Sequence, residues 1–156
     1  MKSLHRALII TLLALPAAAF AADTSPTPSM PRDPVLEKVS AATMQQDWGG
    51  AQSLLKEALS RDPGNADYHN LYAYAIRKGP NPDMDLVFKH YNEALRIDPR
   101  HRGAHEYIGE AYLMVGNVPK AREHLGVLDR LCFFPCDEYT DLKKAIADYE
   151  RKQAAR

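Results

Sequence analysis

The 156-residue chain has no net charge, no long apolar run and very little cysteine. Its 20 lysines and arginines balance 20 aspartates and glutamates, so it lacks the excess positive charge that grips phosphate backbones. The longest apolar run, Ala7 to Leu15, is shorter than the roughly 20 residues of a membrane-spanning helix. These absences argue against a nucleic-acid-binding protein and against an integral membrane protein.

The usual signatures of catalysis are also lacking. The chain has no glycine-framed serine and no glycine-rich loop that could cradle a phosphate. His101 and His105 have a spacing that can place two imidazoles on one metal, but no glutamate stands between them as a hydrolytic site needs. His69, His90 and His124 fall on different predicted helices and show no spacing pattern. We therefore expect neither an enzyme nor a cofactor nor a bound metal.

The chain begins with a pattern typical of a secretory signal peptide. Lys2 and Arg6 precede the apolar run, and the small residues that follow suit cleavage after Ala21. Residues 1–21 are therefore predicted to be a signal peptide. Its removal leaves 18 basic against 20 acidic residues, because it contains two basic residues and no acidic one.

Residues 22–34 are rich in proline and small polar residues. Proline has no amide donor and restricts the residue before it, so this stretch favours neither a helix nor a central strand. We expect a disordered linker that lets the folded domain reach away from whatever holds its N-terminus, or that is a simple spacer.

Beyond the linker the sequence repeats itself. The stretch KEALSRDPGNA from Lys56 matches NEALRIDPRHRGA from Asn92, with Ala-Leu and Asp-Pro at the same separation. A small apolar residue, Ala51 or Val87, stands twelve residues before each proline, and Ala121 follows Val87 by 34 residues. A period near 34 that contains two helices predicts a stack of helix pairs.

Particular residues in the second and third copies then identify a family. The motif of the third copy consists of His105, Ile108, Gly109 and Tyr112. The matching residues of the second copy are Tyr68, Leu71, Tyr72 and Ala75. Over about residues 34–132 the chain resembles the tetratricopeptide-repeat family, which has Trp, Leu, Gly and Tyr at these positions. This alignment puts a tyrosine of the second copy where the family has its glycine.

The resemblance implies an all-α solenoid of about three helix pairs followed by a capping helix. The expected repeats span about 35–64, 65–100 and 101–132, the capping helix spans 137–150, and residues 151–156 form a disordered tail. The capping helix is amphipathic, with Tyr139, Leu142, Ile146 and Tyr149 on one face. Asp137 is its expected N-cap.

The resemblance also implies a concave groove, lined by the first helix of each pair, that binds a peptide or protein segment. The residues expected there are Asn70, Ala73, Arg77, Glu106, Tyr107, Glu110 and Met114. An asparagine at position 70 implies a contact with a peptide backbone, and Arg77 could fork onto a carboxylate. Such a groove suits a segment of apolar and basic character. The alternative is a solvated helix face on which Arg77 pairs with a glutamate.

The only two cysteines, Cys132 and Cys136, lie at the end of the last repeat. Three residues separate them, one too many for the redox motif Cys-x-x-Cys, and two thiols alone do not complete a zinc site. Residues so spaced at a helix end lie about 6 Å apart, and exported chains meet an oxidising environment, so a disulfide is favoured. Phe133 or Phe134 is expected to point inward and seal this corner.

These observations predict a non-catalytic interaction module or scaffold in the periplasm, with an unidentified protein as its partner. No nucleic acid and no membrane insertion after leader cleavage are expected. The periplasmic location follows from the leader together with a resemblance to small exported repeat proteins of Gram-negative bacteria. Two alternatives stay open: copper handling through Cys132 and Cys136, and a structural subunit of a cell-envelope assembly.

Overall fold

The computed structural model describes residues 33–155, which fold into seven α-helices and no strand. The helices are α1 (Pro34–Met44), α2 (Trp48–Arg61), α3 (Ala66–Lys78), α4 (Met84–Ile97), α5 (Arg102–Met114), α6 (Val118–Leu131) and α7 (Asp137–Ala154). The all-α prediction is therefore confirmed. None of these helices is both long enough and apolar enough to cross a membrane. The predicted signal peptide and all but the last two residues of the predicted linker lie outside the described residues.

Short polar side chains and Asp-Pro pairs determine where the helices begin and end. The Asp47 carboxylate accepts a hydrogen bond from the amide of Gly50 at 2.8 Å, and Asn65 and Asn117 cap α3 and α6 in the same way. These contacts satisfy amides that have no partner inside the helix. Asp62 is the C-cap of α2, and the proline that follows cannot continue the helix. The chain therefore turns back after each helix.

Consecutive helices pack against one another, and α5 also packs against α3 and α7. The core consists of three clusters of apolar side chains between successive helices. Small residues in the second helix of each pair, Ala51, Ala94 and Ala121, have no exposed surface. Their size allows the helices to approach closely, as the sequence predicts.

The second and third helix pairs align differently from the sequence prediction. His69 occupies the place in α3 that His105 occupies in α5, where the prediction put Tyr68. The Nε2 atom of His69 lies 3.0 Å from the carbonyl oxygen of Pro63, and that of His105 lies 3.1 Å from the carbonyl oxygen of Pro99. The predicted alignment of the second repeat is therefore wrong by one residue.

The corrected alignment restores the small residue that the second repeat had seemed to lack. Ala73, not Tyr72, is the counterpart of Gly109, and Ala73 has no exposed surface. At Gly109 the next helix comes closer still, because a Cβ atom there would lie 2.6 Å from Cδ2 of Leu142 in α7. Both repeats therefore have a small residue where the following first helix packs.

The two ends of α7 also differ from the prediction. Cys136 is the N-cap, without a side-chain hydrogen bond, and Asp137 is the first helical residue. The helix continues to Ala154, although a disordered tail was expected from residue 151. An ion pair from Arg122 in α6 to Glu150, with 2.5 Å between Nη2 and Oε1, holds the last turns against the third pair. A long-range pair of this kind is not visible as a local pattern in the sequence.

Candidate binding face

Most of the predicted groove residues are buried rather than open to solvent. Ala73 is fully buried, Asn70, Arg77 and Glu106 are 4%, 8% and 8% exposed, Tyr107 and Glu110 are half-buried, and Met114 is 52% exposed. The alternative of a solvated helix face therefore does not hold for four of these seven residues. The physical reason is that α7 packs along α5 and brings further acidic side chains over it.

The polar groups nevertheless lie together on one side of α3, α5 and α7, which we call the inner face. The inner face comprises Asn70, Arg77, Glu106, Tyr107, Glu110, Glu138 and Asp141. Glu110, Glu138 and Asp141 outnumber the two arginines that lie beside them, Arg77 and Arg102, so the face has an excess of negative charge even without Glu106.

Arg77 is held on several sides by residues of the protein itself. Its Nη2 atom lies 2.7 Å from Oε2 of Glu110, an ion pair that is not aligned as a hydrogen bond. Its Nε atom donates to the hydroxyl of Tyr91 at 3.2 Å, and the guanidinium faces the rings of Tyr74 and Tyr107 at 5.5 and 5.7 Å. Arg77 thus pairs with a glutamate, the alternative that the sequence analysis left open.

Glu106, one helical turn before Glu110, has no comparable partner. Among residues 33–155, ion pairs join Arg77 to Glu110 and Arg102 to Glu138, but none reaches Glu106. Burial first, and then the negative charges of Glu110, Asp141 and Glu138, raise the pKa of the Glu106 carboxyl to about 8, against a smaller lowering by Arg77. Glu106 therefore holds its proton near neutral pH.

Asn70 adds a second unsatisfied group to the inner face. Its Oδ1 atom is buried and finds no hydrogen-bond donor among residues 33–155. Its Nδ2 atom would lie 3.4 Å from a Cβ at Gly103, so the amide rests on the first turn of α5, one turn before Glu106. Buried polar atoms normally have a hydrogen-bond partner. An unsatisfied acceptor here is a place where a donor on a ligand could bind.

An aromatic row runs along the same elements. The ring of Tyr74 lies 6.0 Å from that of Trp48 and 4.8 Å from that of Tyr107, centroid to centroid. The two tyrosines are half-buried, and they connect α2, α3 and α5 through large rigid side chains. This row supplies apolar contact area beside the acidic groups.

Two histidine pairs, which the sequence analysis missed, join the helices of the second and third repeats. The Nδ1 atoms of His69 and His90 lie 2.8 Å apart, and those of His105 and His124 lie 2.9 Å apart. In each pair, Nε2 of the first histidine donates to a proline carbonyl, so its Nδ1 accepts from the second histidine. A histidine six residues after an Asp-Pro proline, with another about 20 residues later, is the signal that could have revealed them.

His90 and His124 are neutral at ordinary pH. Burial, followed by the charge of the partner histidine, lowers the pKa of each to about 4. Within residues 33–155, no group of three or more His, Cys, Asp or Glu side chains is arranged to hold a metal ion. The pairs therefore act as hydrogen bonds between helices.

Cys132 and Cys136 close the corner between α6 and α7. Their sulfur atoms lie 2.05 Å apart, at disulfide distance, and their Cα atoms 5.9 Å apart. Phe133 and Phe134 are 93% and 75% exposed, so the expectation that one of them seals the corner is wrong. The space beneath the corner is already filled by the apolar cluster between α5, α6 and α7, which includes the fully buried Leu128.

Comparisons with known proteins point to one repeat family, although no family model matches the chain. The "Inactive TPR repeat-containing thioredoxin TTL3" of Arabidopsis thaliana is 33% identical over 95 residues, which cover 60% of this chain and 13% of that protein. The "TPR repeat-containing thioredoxin TTL4" of the same plant is 29% identical over 98 residues, 63% of this chain and 13% of that protein. The chain thus spans a small part of the length of either relative.

A solved structure shows the same fold. The TPR2B domain in the "TPR2B-domain:pHsp70-complex of yeast Sti1" matches with a TM-score of 0.66 and 17% identity, over 76% of this chain and 94% of that chain. This chain has the tetratricopeptide-repeat fold. Its three tetratricopeptide repeats are α1–α2, α3–α4 and α5–α6, and α7 packs on the last repeat as the capping helix does in such arrays.

Proposed function

We propose that this tetratricopeptide-repeat protein is a non-catalytic interaction module that holds a segment of a partner protein on its inner face. The observation that carries the proposal is the buried Oδ1 atom of Asn70, which has no donor among residues 33–155. A hydrogen-bond donor of a bound segment would satisfy it. The aromatic row of Trp48, Tyr74 and Tyr107 would supply apolar contact alongside.

We further propose that the protein works in the periplasm. The sequence of residues 1–21 has the layout of a cleavable leader, and the cysteines at disulfide distance suit an oxidising compartment. The same disulfide occupies both thiols that copper handling would require, so that alternative depends on the reduced form. A structural role in an envelope assembly would require stable oligomers, which light scattering would reveal.

Site-specific photo-crosslinking tests where a partner binds. A photoreactive phenylalanine analogue replaces Tyr107, which lies on the inner face, or Met114, which lies next to it. As a control, the same analogue replaces Glu93 on α4. Met114 and Glu93 both have room for a larger side chain, because their side chains are partly exposed. After irradiation in a periplasmic extract of the source cells, we expect one discrete crosslinked product from the first two positions and none from Glu93.

The opposite pattern would overturn the proposal. A product from position 93 alone would move the binding surface to the second helices. Equal products from all three positions would indicate nonspecific contact. Circular dichroism of each variant checks that the analogue has not unfolded the repeats.

A further inference from the structure

Glu106 is a buried carboxyl group that has no ion-pair partner among residues 33–155. It is 8% exposed, and it accepts no hydrogen bond from the residues that the structure describes. Carboxyl groups are rarely buried without a partner, because desolvation of the charge is costly. A partner that arrives only with a ligand would explain this arrangement.

The neighbouring carboxylates show what Glu106 lacks. Glu110, one turn away, has the Arg77 guanidinium at 2.7 Å. Glu138 in α7 has Nε of Arg102 at 3.5 Å. The inner face therefore already holds a guanidinium between a carboxylate and two tyrosine rings, which is the arrangement that stabilises a cation. Within the inner face, Glu106 and Asp141 are the acidic residues that have no arginine or lysine as an ion-pair partner in the described part of the chain.

Asn70 supplies an independent reason to expect a donor at this place. Its buried Oδ1 atom is an acceptor without a donor, on the face of α3 that contacts the first turn of α5. A lysine ammonium carries three N–H donors and an arginine guanidinium carries five, enough to satisfy a carboxylate and an amide oxygen together. A carboxylate ligand would instead meet the carboxylates of Glu110, Glu138 and Asp141 and be repelled.

We propose that Glu106 and Asn70 form a subsite for one lysine or arginine side chain of the segment bound on the inner face. This rests on the proposed function and names the chemistry of the partner. The cation would make a charge-assisted hydrogen bond to the Glu106 carboxylate, and Asp141 and Glu138 would add to the attraction.

Binding at this subsite should release a proton. The raised pKa of Glu106, about 8, means that the free protein carries a neutral carboxyl at pH 7, whereas the bound cation favours the carboxylate. The charged groups that face Glu106 are Glu110 on α5, Glu138 and Asp141 on α7, and Arg77 on α3. Affinity should therefore rise between about pH 6 and 8, as Glu106 becomes easier to ionise.

A peptide selection tests the subsite. A phage-displayed library of random dodecapeptides is panned against the purified full-length protein, and a selected peptide is synthesised with its basic residue intact or replaced by acetyl-lysine or citrulline. Both forms are titrated against wild type, Glu106→Gln and the control Glu123→Gln. The control makes the same substitution at an exposed glutamate of α6. Glu106→Gln should stay folded, since Gln resembles the protonated acid in size and charge.

We expect peptides enriched in lysine and arginine, at least a tenfold loss of affinity for Glu106→Gln, and wild-type affinity for Glu123→Gln. The neutralised peptide should bind wild type and Glu106→Gln equally weakly, and Glu106→Gln should lose the rise in affinity between pH 6 and 8. Peptides without basic enrichment, or undiminished binding to Glu106→Gln, would overturn the subsite and leave the proposed function intact. If selected peptides crosslink only to the second helices, the subsite and the proposed function both fail.

Discussion

The second and third repeats hold their two helices together in the same way, but they place different side chains on the inner face. Each repeat joins its two helices with a histidine pair anchored to a proline carbonyl. At equivalent inner positions, however, the second repeat has Asn70 and Arg77 where the third has Glu106 and Leu113. The repeated positions maintain the helix pair, whereas the variable ones are available for recognition. Function in such an array therefore depends on the positions at which the repeats differ.

A second contrast concerns the helix that follows each repeat. Ala73 packs in the cluster that α3 shares with α5, and Gly109 packs against Leu142 of α7. The third repeat thus meets its neighbour more closely, and it is additionally tied to α7 by the cysteine pair. This end of the array should be the more sensitive to added volume.

Gly109→Leu should have the largest effect of the changes considered. A Cβ alone would lie within 2.7 Å of both Leu142 methyl carbons, and Leu142 is itself fully buried, so α5 and α7 must move apart. We expect the free energy of unfolding to fall by about 2 kcal/mol or more. Denaturant unfolding monitored by circular dichroism measures it. An unchanged midpoint would contradict the close contact between α5 and α7.

Replacing Cys132 and Cys136 together by serine removes the disulfide that links the third repeat to α7. The closed loop is short, so we expect a loss of about 2 kcal/mol, with the helices retained. Thermal unfolding of the double variant measures this loss. The prediction of an oxidised pair is checked by thiol titration of unreduced, denatured protein. Two free thiols in periplasmic material would favour metal handling instead.

The histidine pairs should make the protein less stable in mild acid. The pKa values of His90 and His124 are lowered to about 4 in the folded state, whereas unfolded histidine binds its proton near 6.5. The stabilisation is therefore complete above about pH 6.5 and is lost as the pH falls towards 4. Allowing for their partial exposure, we expect about 1 to 2 kcal/mol for both pairs together.

The double variant His90→Gln, His124→Gln isolates this contribution. Glutamine can still donate a hydrogen bond to the first histidine but takes up no proton. Glu106, whose pKa is raised, acts in the opposite direction over part of the same interval, so the informative quantity is the difference between the wild-type and variant curves. Parallel curves between pH 7 and 4 would show that the pairs do not titrate as the structure indicates.

Gly126→Ala should have the smallest effect, and it should be stabilising. Gly126 lies within α6 where the second repeat has Asn92, and the nearest atom to an added Cβ is Nη1 of Arg130 at 3.9 Å. Alanine is favoured over glycine in a helix by about 0.5 to 1 kcal/mol. A small rise in melting temperature is expected, in contrast to the loss at Gly109. A fall would indicate an unrecognised contact on α6.

The sequence was sufficient for the helix pairs because local patterns encode them. The Asp-Pro pairs and the small residues mark helix ends and close contacts, and α2 does end at the first of these pairs, with Asp62 as its C-cap. The register of α3 was harder, because Tyr68 and His69 are both large and adjacent. The ion pair of Arg77 depends on Glu110, which is 33 residues away in the sequence. The exposure of Phe133 depends on how α7 packs into the core. Such outcomes follow from tertiary packing, which no local pattern contains.

The histidine pairs and the inner face should respond differently to ionic strength. Hydrogen bonds between imidazole rings are little affected by salt, whereas attraction between a bound cation and the inner-face carboxylates is screened over about 8 to 10 Å at physiological concentrations. Concentrated salt should therefore leave the second and third repeats assembled while it weakens capture of a basic segment. A salt step would then release a bound partner from a protein that is still folded.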